Sequence, residues 1–186
     1  RVEDAILEPK PVRQPRPTLY AGGESAAAKA LIARACDGYL MHGDPPERVA
    51  AKITDMQALR EANDLGPMVY GVAGYVVCRS TETAARREIE RITDVRQNAA
   101  GYTNYEQWLA NTQLEQRVSL EDYSVSNRGL KAGLTGTPEQ IADRIRAFEQ
   151  AGVDLLLLQF SPQLEEMERR PAARPDRTHA DPPAPS

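Results

Sequence analysis

PTLYAGGES, Pro17 to Ser25, sets three signals side by side. A short apolar run, Thr18 to Ala21, ends in Gly22-Gly23. Glu24-Ser25 follows, and an alanine-rich helical pattern begins at once. Strand, glycine turn and helix start, in that order, form a candidate anion site. The glycines let backbone approach a ligand, Ser25 offers a hydroxyl, and the first amides of the helix have no partner within it. The same residues also describe an ordinary strand-to-helix turn with Ser25 as N-cap. Such turns are common in α/β chains, so the local pattern alone leaves both readings open.

Downstream, the alternation repeats. The helix over 25–36 carries Ala28, Leu31, Ile32 and Ala35 on one face, and DGYLMH at 37–42 is a second short strand. Asp44, Pro45 and Glu47 then predict an N-cap, a first-turn proline and a capping box. The helix they open runs to about Asn63, with Val49, Ile53, Met56 and Leu59 inward. Gly66-Pro67 breaks the chain before a third strand, Met68 to Cys78. Ser80-Thr81 caps a charged helix to about Val95, with Ala84, Ile89 and Ile92 as its apolar side. A further helix is expected from Asn104 to Gln113. Residues 117–136 have no period, which inside a compact domain marks a disordered or functional segment. Thr137 and Gln140 form a second capping box, opening a helix to Ala151 with Ile141, Ile145 and Phe148 on one side. Val153 to Phe160 is nearly all apolar, as expected of a strand buried on both faces of a parallel sheet. Pro162 to Glu168 starts a last helix.

Strand and helix alternate four times, and the strands are apolar. That predicts an α/β fold with parallel strands and right-handed crossovers, either a small doubly wound sheet or half of an eight-fold barrel. Residues 1–17 are a proline-punctuated connector, 18–168 the folded unit, and 169–186 a Pro/Ala/Arg-rich tail expected to be disordered. The abrupt start at Arg1 suggests a fragment whose N-terminal half is missing.

The totals narrow the function. The 186 residues suffice for one domain, and an apolar fraction of 41% is globular. A net charge of −4 argues against nucleic acid as a partner. No run is long enough to span a membrane and no signal peptide is visible, so a cytoplasmic protein is expected. Cys36 and Cys78 are expected to be reduced core residues. No metal site is expected.

An ordered set of motifs then points to a family. PKPV and PTLYAGGES are followed by DGYLMHGDPPERVAAKI and the strand YGVAGYVVCR. A loop carrying Asn127-Arg128-Gly129, then GTPEQIADRI and AGVDLLLLQFSPQLEE, complete it. Over about Pro9 to Glu168 the chain resembles the C-terminal half of the bacterial luciferase-like flavin-dependent monooxygenases. The branch it is most similar to is the reduced-FMN-dependent alkanesulfonate and dimethyl sulfone enzymes.

The resemblance implies strands five to eight of a (β/α)8 TIM barrel. It implies reduced FMN (FMNH2) as cofactor, delivered by a separate NAD(P)H-dependent flavin reductase, and O2 as co-substrate. The reaction implied is oxygenation of a small organosulfur compound with C–S cleavage, in an enzyme that is a homo-oligomer at full length. Gly22, Gly23, Glu24 and Ser25 fall where the family holds the flavin phosphate. His42 ends the next strand on the same face and joins Arg128 as a candidate catalytic residue. Arg128 matches the arginine of a mobile loop that excludes water from the flavin. Each has a plainer reading, His42 as a loop histidine and Arg128 as a solvated loop charge.

The chain also departs from the alkanesulfonate pattern. Ala73 and Tyr75 stand where an arginine and a histidine would face the pocket, and Ser161 stands where a tyrosine is expected. That favours a less charged substrate, such as a sulfone, with Tyr75 and Ser161 in its pocket. Two other readings are compatible: an inactive half-barrel, and a deazaflavin (F420)-dependent hydride-transferring oxidoreductase of the same superfamily.

Overall fold

The computed structural model describes residues 8–13, 16–94, 99–111, 129–160 and 163–168. Four strands, β1 (Tyr20–Ala21), β2 (Gly38–Met41), β3 (Val69–Tyr75) and β6 (Leu155–Gln159), form one sheet in that order, and every neighbouring pair is parallel. The helices between them are α1 (Ala26–Ala35), α2 (Pro46–Glu61), α3 (Glu82–Ile92), α4 (Ala99–Asn111) and α5 (Pro138–Gln150), with α6 (Gln163–Glu168) last.

The order never reverses among the described strands, so the sheet is singly wound. A doubly wound sheet would reverse and carry helices on both faces. Here Tyr39, Met41, Tyr70 and Val72 share one face and bury it against Ile32 and Ala33 of α1, Val49, Ile53 and Met56 of α2, and Ile141 and Phe148 of α5. The opposite face carries Tyr20, Leu40, Val69, Ala73, Leu155 and Leu157, by the strand register. Tyr20, Leu155 and Leu157 on it are 44%, 39% and 38% exposed.

That open face corrects the expectation for the last strand. β6 pairs only with β3 among the described strands and is largely exposed, so its leucine run does not mark burial on both faces. The run suits a strand in a parallel sheet, but burial depends on what lies over it. The third strand is likewise not continuous. β3 ends at Tyr75, and the chain then steps to β4 (Val77–Cys78), which pairs with β5 (Thr135–Gly136) in a separate two-stranded ladder. β5 and the 3-10 turn Gly129–Ala132 lie within the stretch expected to lack structure. Periodicity cannot find a two-residue strand.

Two helices present a different face from the one their sequence predicts. In α1 the buried residues are Ile32 and Ala33, while Leu31 is exposed. Ile145 of α5 is also exposed, whereas Ile141 and Phe148 are buried. Capping fared better at two helices. Thr81 accepts the Ala84 amide, and Thr137 and Gln140 make the expected reciprocal box.

Two carboxylates pin strand ends. Asp154 accepts the Tyr70 amide at 2.9 Å and its own amide donates back to the Tyr70 carbonyl, fixing the register of β6 on β3. Asp37 accepts the Leu19 amide at 2.8 Å and is forked by Arg16, whose Nη2 lies 3.1 Å from Oδ1. Chiefly through the Arg16 hydrogen bond, then the Leu19 amide, the Asp37 carboxyl is held at about 2, below its ordinary 3.8. A depressed carboxyl stabilises the fold above its unfolded value and loses that contribution as pH falls through the folded one. The wild type should therefore lose stability between about pH 4 and 2, and Asp37→Asn should flatten that limb. Urea midpoints at pH 5, 3 and 2.5 check this.

Candidate functional site

The C-terminal edge of the sheet carries the Gly22–Ser25 turn, His42 and Tyr75. β1 ends at Ala21, and the turn leaves from there. A Cβ on Gly22 would lie 2.9 Å from the Leu40 carbonyl oxygen, and one on Gly23 would lie 2.6 Å from the Ala28 Cβ. The two glycines are therefore required by close approach to β2 and α1. The buried Tyr39 hydroxyl donates to the Gly23 carbonyl at 2.9 Å and clamps the turn.

Ser25 is the N-cap of α1, with extended backbone and an Oγ that accepts the Ala28 amide at 3.2 Å. Accepting does not use its proton, so the hydroxyl remains a donor. The next two residues, Ala26 and Ala27, are exposed, and their amides belong to the first turn that a helix cannot satisfy itself. The two readings of the turn are compatible: Ser25 caps the helix and the same corner presents donors to an anion.

Glu24 does something the sequence did not announce. Its carboxylate is buried and receives Lys52 Nζ at 3.0 Å, while the same ammonium donates to Asp44 Oδ2 at 2.7 Å. Arg48 Nε lies 4.0 Å from that Asp44 oxygen. Glu24 thus gives the turn its backbone and spends its charge inside. Asp44 is fully buried, and this corrects the capping box expected at α2. The helix starts at Pro46 behind Pro45 with no side-chain cap, because Asp44 is committed to Lys52. The sequence does carry a signal for Lys52. It sits on the stripe Val49-Ile53-Met56, and a lysine on a buried stripe demands an acidic partner.

His42 directly follows β2 and is half-buried. The pairing of Ala21 with Tyr39 carries it to the same edge as the Gly22–Ser25 turn. Tyr75 ends β3 and packs with Val77, Ala85, Ile89, Ile92 and Leu130. Its hydroxyl is buried with no hydrogen-bond partner among the described residues. Arg128 and Ser161 lie outside the described residues.

Nearby, Arg79 forks Glu166 of α6 at 3.0 and 2.9 Å and reaches Glu88 of α3 at 3.3 Å, tying the last helix to this end of the sheet. Burial pushes the Cys78 thiol above its usual value, so Cys78 does not read as a thiolate nucleophile; Cys36 and Cys78 are not joined in a disulfide. A cavity of about 570 Å³ borders the turn from the helix side, lined by Glu24, Ala26, Lys29, Asp55, Ala58 and Leu59. Among the described residues, no cluster of His, Cys, Asp or Glu could hold a metal ion, and no helix is long and apolar enough to cross a membrane.

Comparison with known proteins bears on this geometry. An FMNH(2)-dependent dimethylsulfone monooxygenase of Pseudomonas putida is 34% identical over 182 residues, covering 90% of this chain and 48% of the relative. The chain spans about half the length of the curated relatives it matches. Among solved structures, a riboflavin lyase with modified FMN and riboflavin superposes with a TM-score of 0.64 at 19% identity, over 82% of this chain and 40% of that one. DmoA from Hyphomicrobium sulfonivorans gives 0.59 at 17% identity, over 91% and 46%. At those identities the structures speak to fold alone. The Luciferase-like monooxygenase family model matches residues 1–155, most of the 186, and the chain belongs to that family.

Proposed function

We propose that this chain carries strands five to eight of a (β/α)8 barrel and holds the phosphate of reduced FMN at its Gly22–Ser25 turn. The parent activity in this reading is a two-component monooxygenation of a small, weakly charged organosulfur compound such as a sulfone, with C–S cleavage. The observation that carries it is the turn itself. An N-capping Ser25 with a spare proton, two first-turn amides and a buried, neutralised Glu24 converge at the C-terminal edge of a parallel sheet. Barrel enzymes place ligands at that edge. The curated relative named for FMNH2 and dimethyl sulfone supports the choice of cofactor and substrate.

The residues fit the phosphate of FMN. Ser25 Oγ and the amides of Ala26 and Ala27 would hold it, and bound reduced flavin would supply the electrons that activate O2. His42, on the same edge, would face the reacting end, with the Arg128 loop excluding water. Tyr75 ends the third strand, and its hydroxyl, which has no hydrogen-bond partner among the described residues, is suited to donate to a neutral sulfone oxygen. Ser161 would complete the pocket. The open apolar face would be the barrel interior. A separate NAD(P)H-dependent reductase would provide the flavin, and the complete enzyme would be a homo-oligomer.

Anaerobic titration with FMNH2 tests the reading. Ser25→Ala should weaken FMN binding about tenfold or more, as expected for losing one hydrogen bond to a charged group. It should lower stability by about 1 kcal/mol through loss of the cap. Tight FMNH2 binding with oxygen-dependent C–S cleavage of a sulfone supports the reading. Binding only of a deazaflavin would redirect it to hydride transfer, and binding of no flavin would favour an inactive half-barrel.

A further inference from the structure

We infer that Lys52 is a positioning residue for phosphate recognition: it holds the Glu24 carboxylate inward and so sets a preference for phosphorylated over unphosphorylated flavin. This rests on the phosphate assignment above. Glu24 is the residue immediately before the Ser25 N-cap. A carboxylate there, if released, would seek the same first-turn amides that a phosphate needs, because the helix N-terminus favours any anion. It would also repel the incoming dianion.

The structure prevents this with a residue from another element. Lys52 projects from the buried stripe of α2, its side chain 5% exposed, and donates to Glu24 at 3.0 Å and Asp44 at 2.7 Å. Asp44 anchors Lys52 in turn, and Arg48 stands 4.0 Å from Asp44, so two carboxylates face two cations behind the turn. Stability alone does not account for such a cluster. Buried ion pairs rarely outperform well-packed apolar residues of the same volume. What the charges add at this position is control over where the Glu24 charge lies.

Two double variants with equal net charge isolate the effect. Asp44→Asn/Lys52→Met leaves the Glu24 carboxylate without its ammonium, whereas Glu24→Gln/Lys52→Met leaves Asp44 beside Arg48. Dissociation constants for FMN and riboflavin are measured by flavin-fluorescence titration at low ionic strength, with circular dichroism as a fold control. The first variant is expected to lose FMN affinity about tenfold relative to riboflavin, and the second to keep the parent's ratio. Glu24→Gln alone retains Lys52–Asp44 and should raise the ratio about threefold, a reading available even if a double variant does not fold. Equal ratios in the two doubles, or an unchanged ratio in Glu24→Gln, would overturn the inference while leaving the phosphate site standing. A parent chain that binds FMN no better than riboflavin overturns both.

Discussion

Lys52→Met should lower the unfolding free energy by about 3–5 kcal/mol, the cost of stripping a buried ion pair of one member. Lys52 is 5% exposed, and two carboxylates converge on it, Asp44 at 2.7 Å and Glu24 at 3.0 Å. Methionine nearly matches the lysine in volume, so little of the loss would come from packing. What remains is two buried carboxylates without the ammonium they share, with less of their desolvation offset. A typical domain has only about 5–15 kcal/mol in hand, so the variant should be marginal. Chemical denaturation gives the number. Restoring neutrality with Glu24→Gln and Asp44→Asn in the same chain should recover most of it, and failure to recover would mean that the packing of Lys52 matters more than its charge.

Gly23→Val should be the second-largest loss, about 1–3 kcal/mol, with weakened FMN binding beside it. The added Cβ would stand 2.6 Å from the Ala28 Cβ, a methyl fixed to the α1 backbone that cannot swing away. Either α1 or the turn must shift. The Gly23 carbonyl holds the Tyr39 hydroxyl and Ser25 caps the helix two residues on, so the shift would propagate to both. The stability loss is read by thermal or urea unfolding and the site effect by FMN titration. Gly22→Ala offers a graded comparison, since its Cβ would meet the Leu40 carbonyl at 2.9 Å. A Gly23→Val chain as stable as the parent would show that the turn relaxes freely.

The alternation of apolar runs and capped helices carried the α/β class and the parallel strands, because strand and helix periods are local properties of the chain. It left the strand order open between a doubly wound sheet and a half-barrel; the order β1-β2-β3-β6 is a finding of the structure. Thr81 and Thr137 were legible as caps for the same reason: a cap hydrogen bond spans only three residues. Asp44 was misread because its local geometry suited a cap, but Lys52, eight residues on and on the buried side of α2, is a stronger partner. The Leu155–Leu158 run was misread as doubly buried because periodicity reports apolarity, and exposure depends on what covers the face.

The candidate site divides along the same line. Local sequence is enough to say that Gly22-Gly23-Glu24-Ser25 closes a strand and opens a helix capped by Ser25. Those features follow from residues adjacent in the chain. Long-range packing settles where the Glu24 charge goes, why Leu40 and Ala28 demand the glycines, and that one face of the sheet at β6 is open among the described residues. Each depends on atoms brought together from distant positions. A buried charge is stable only where such a partner has been supplied.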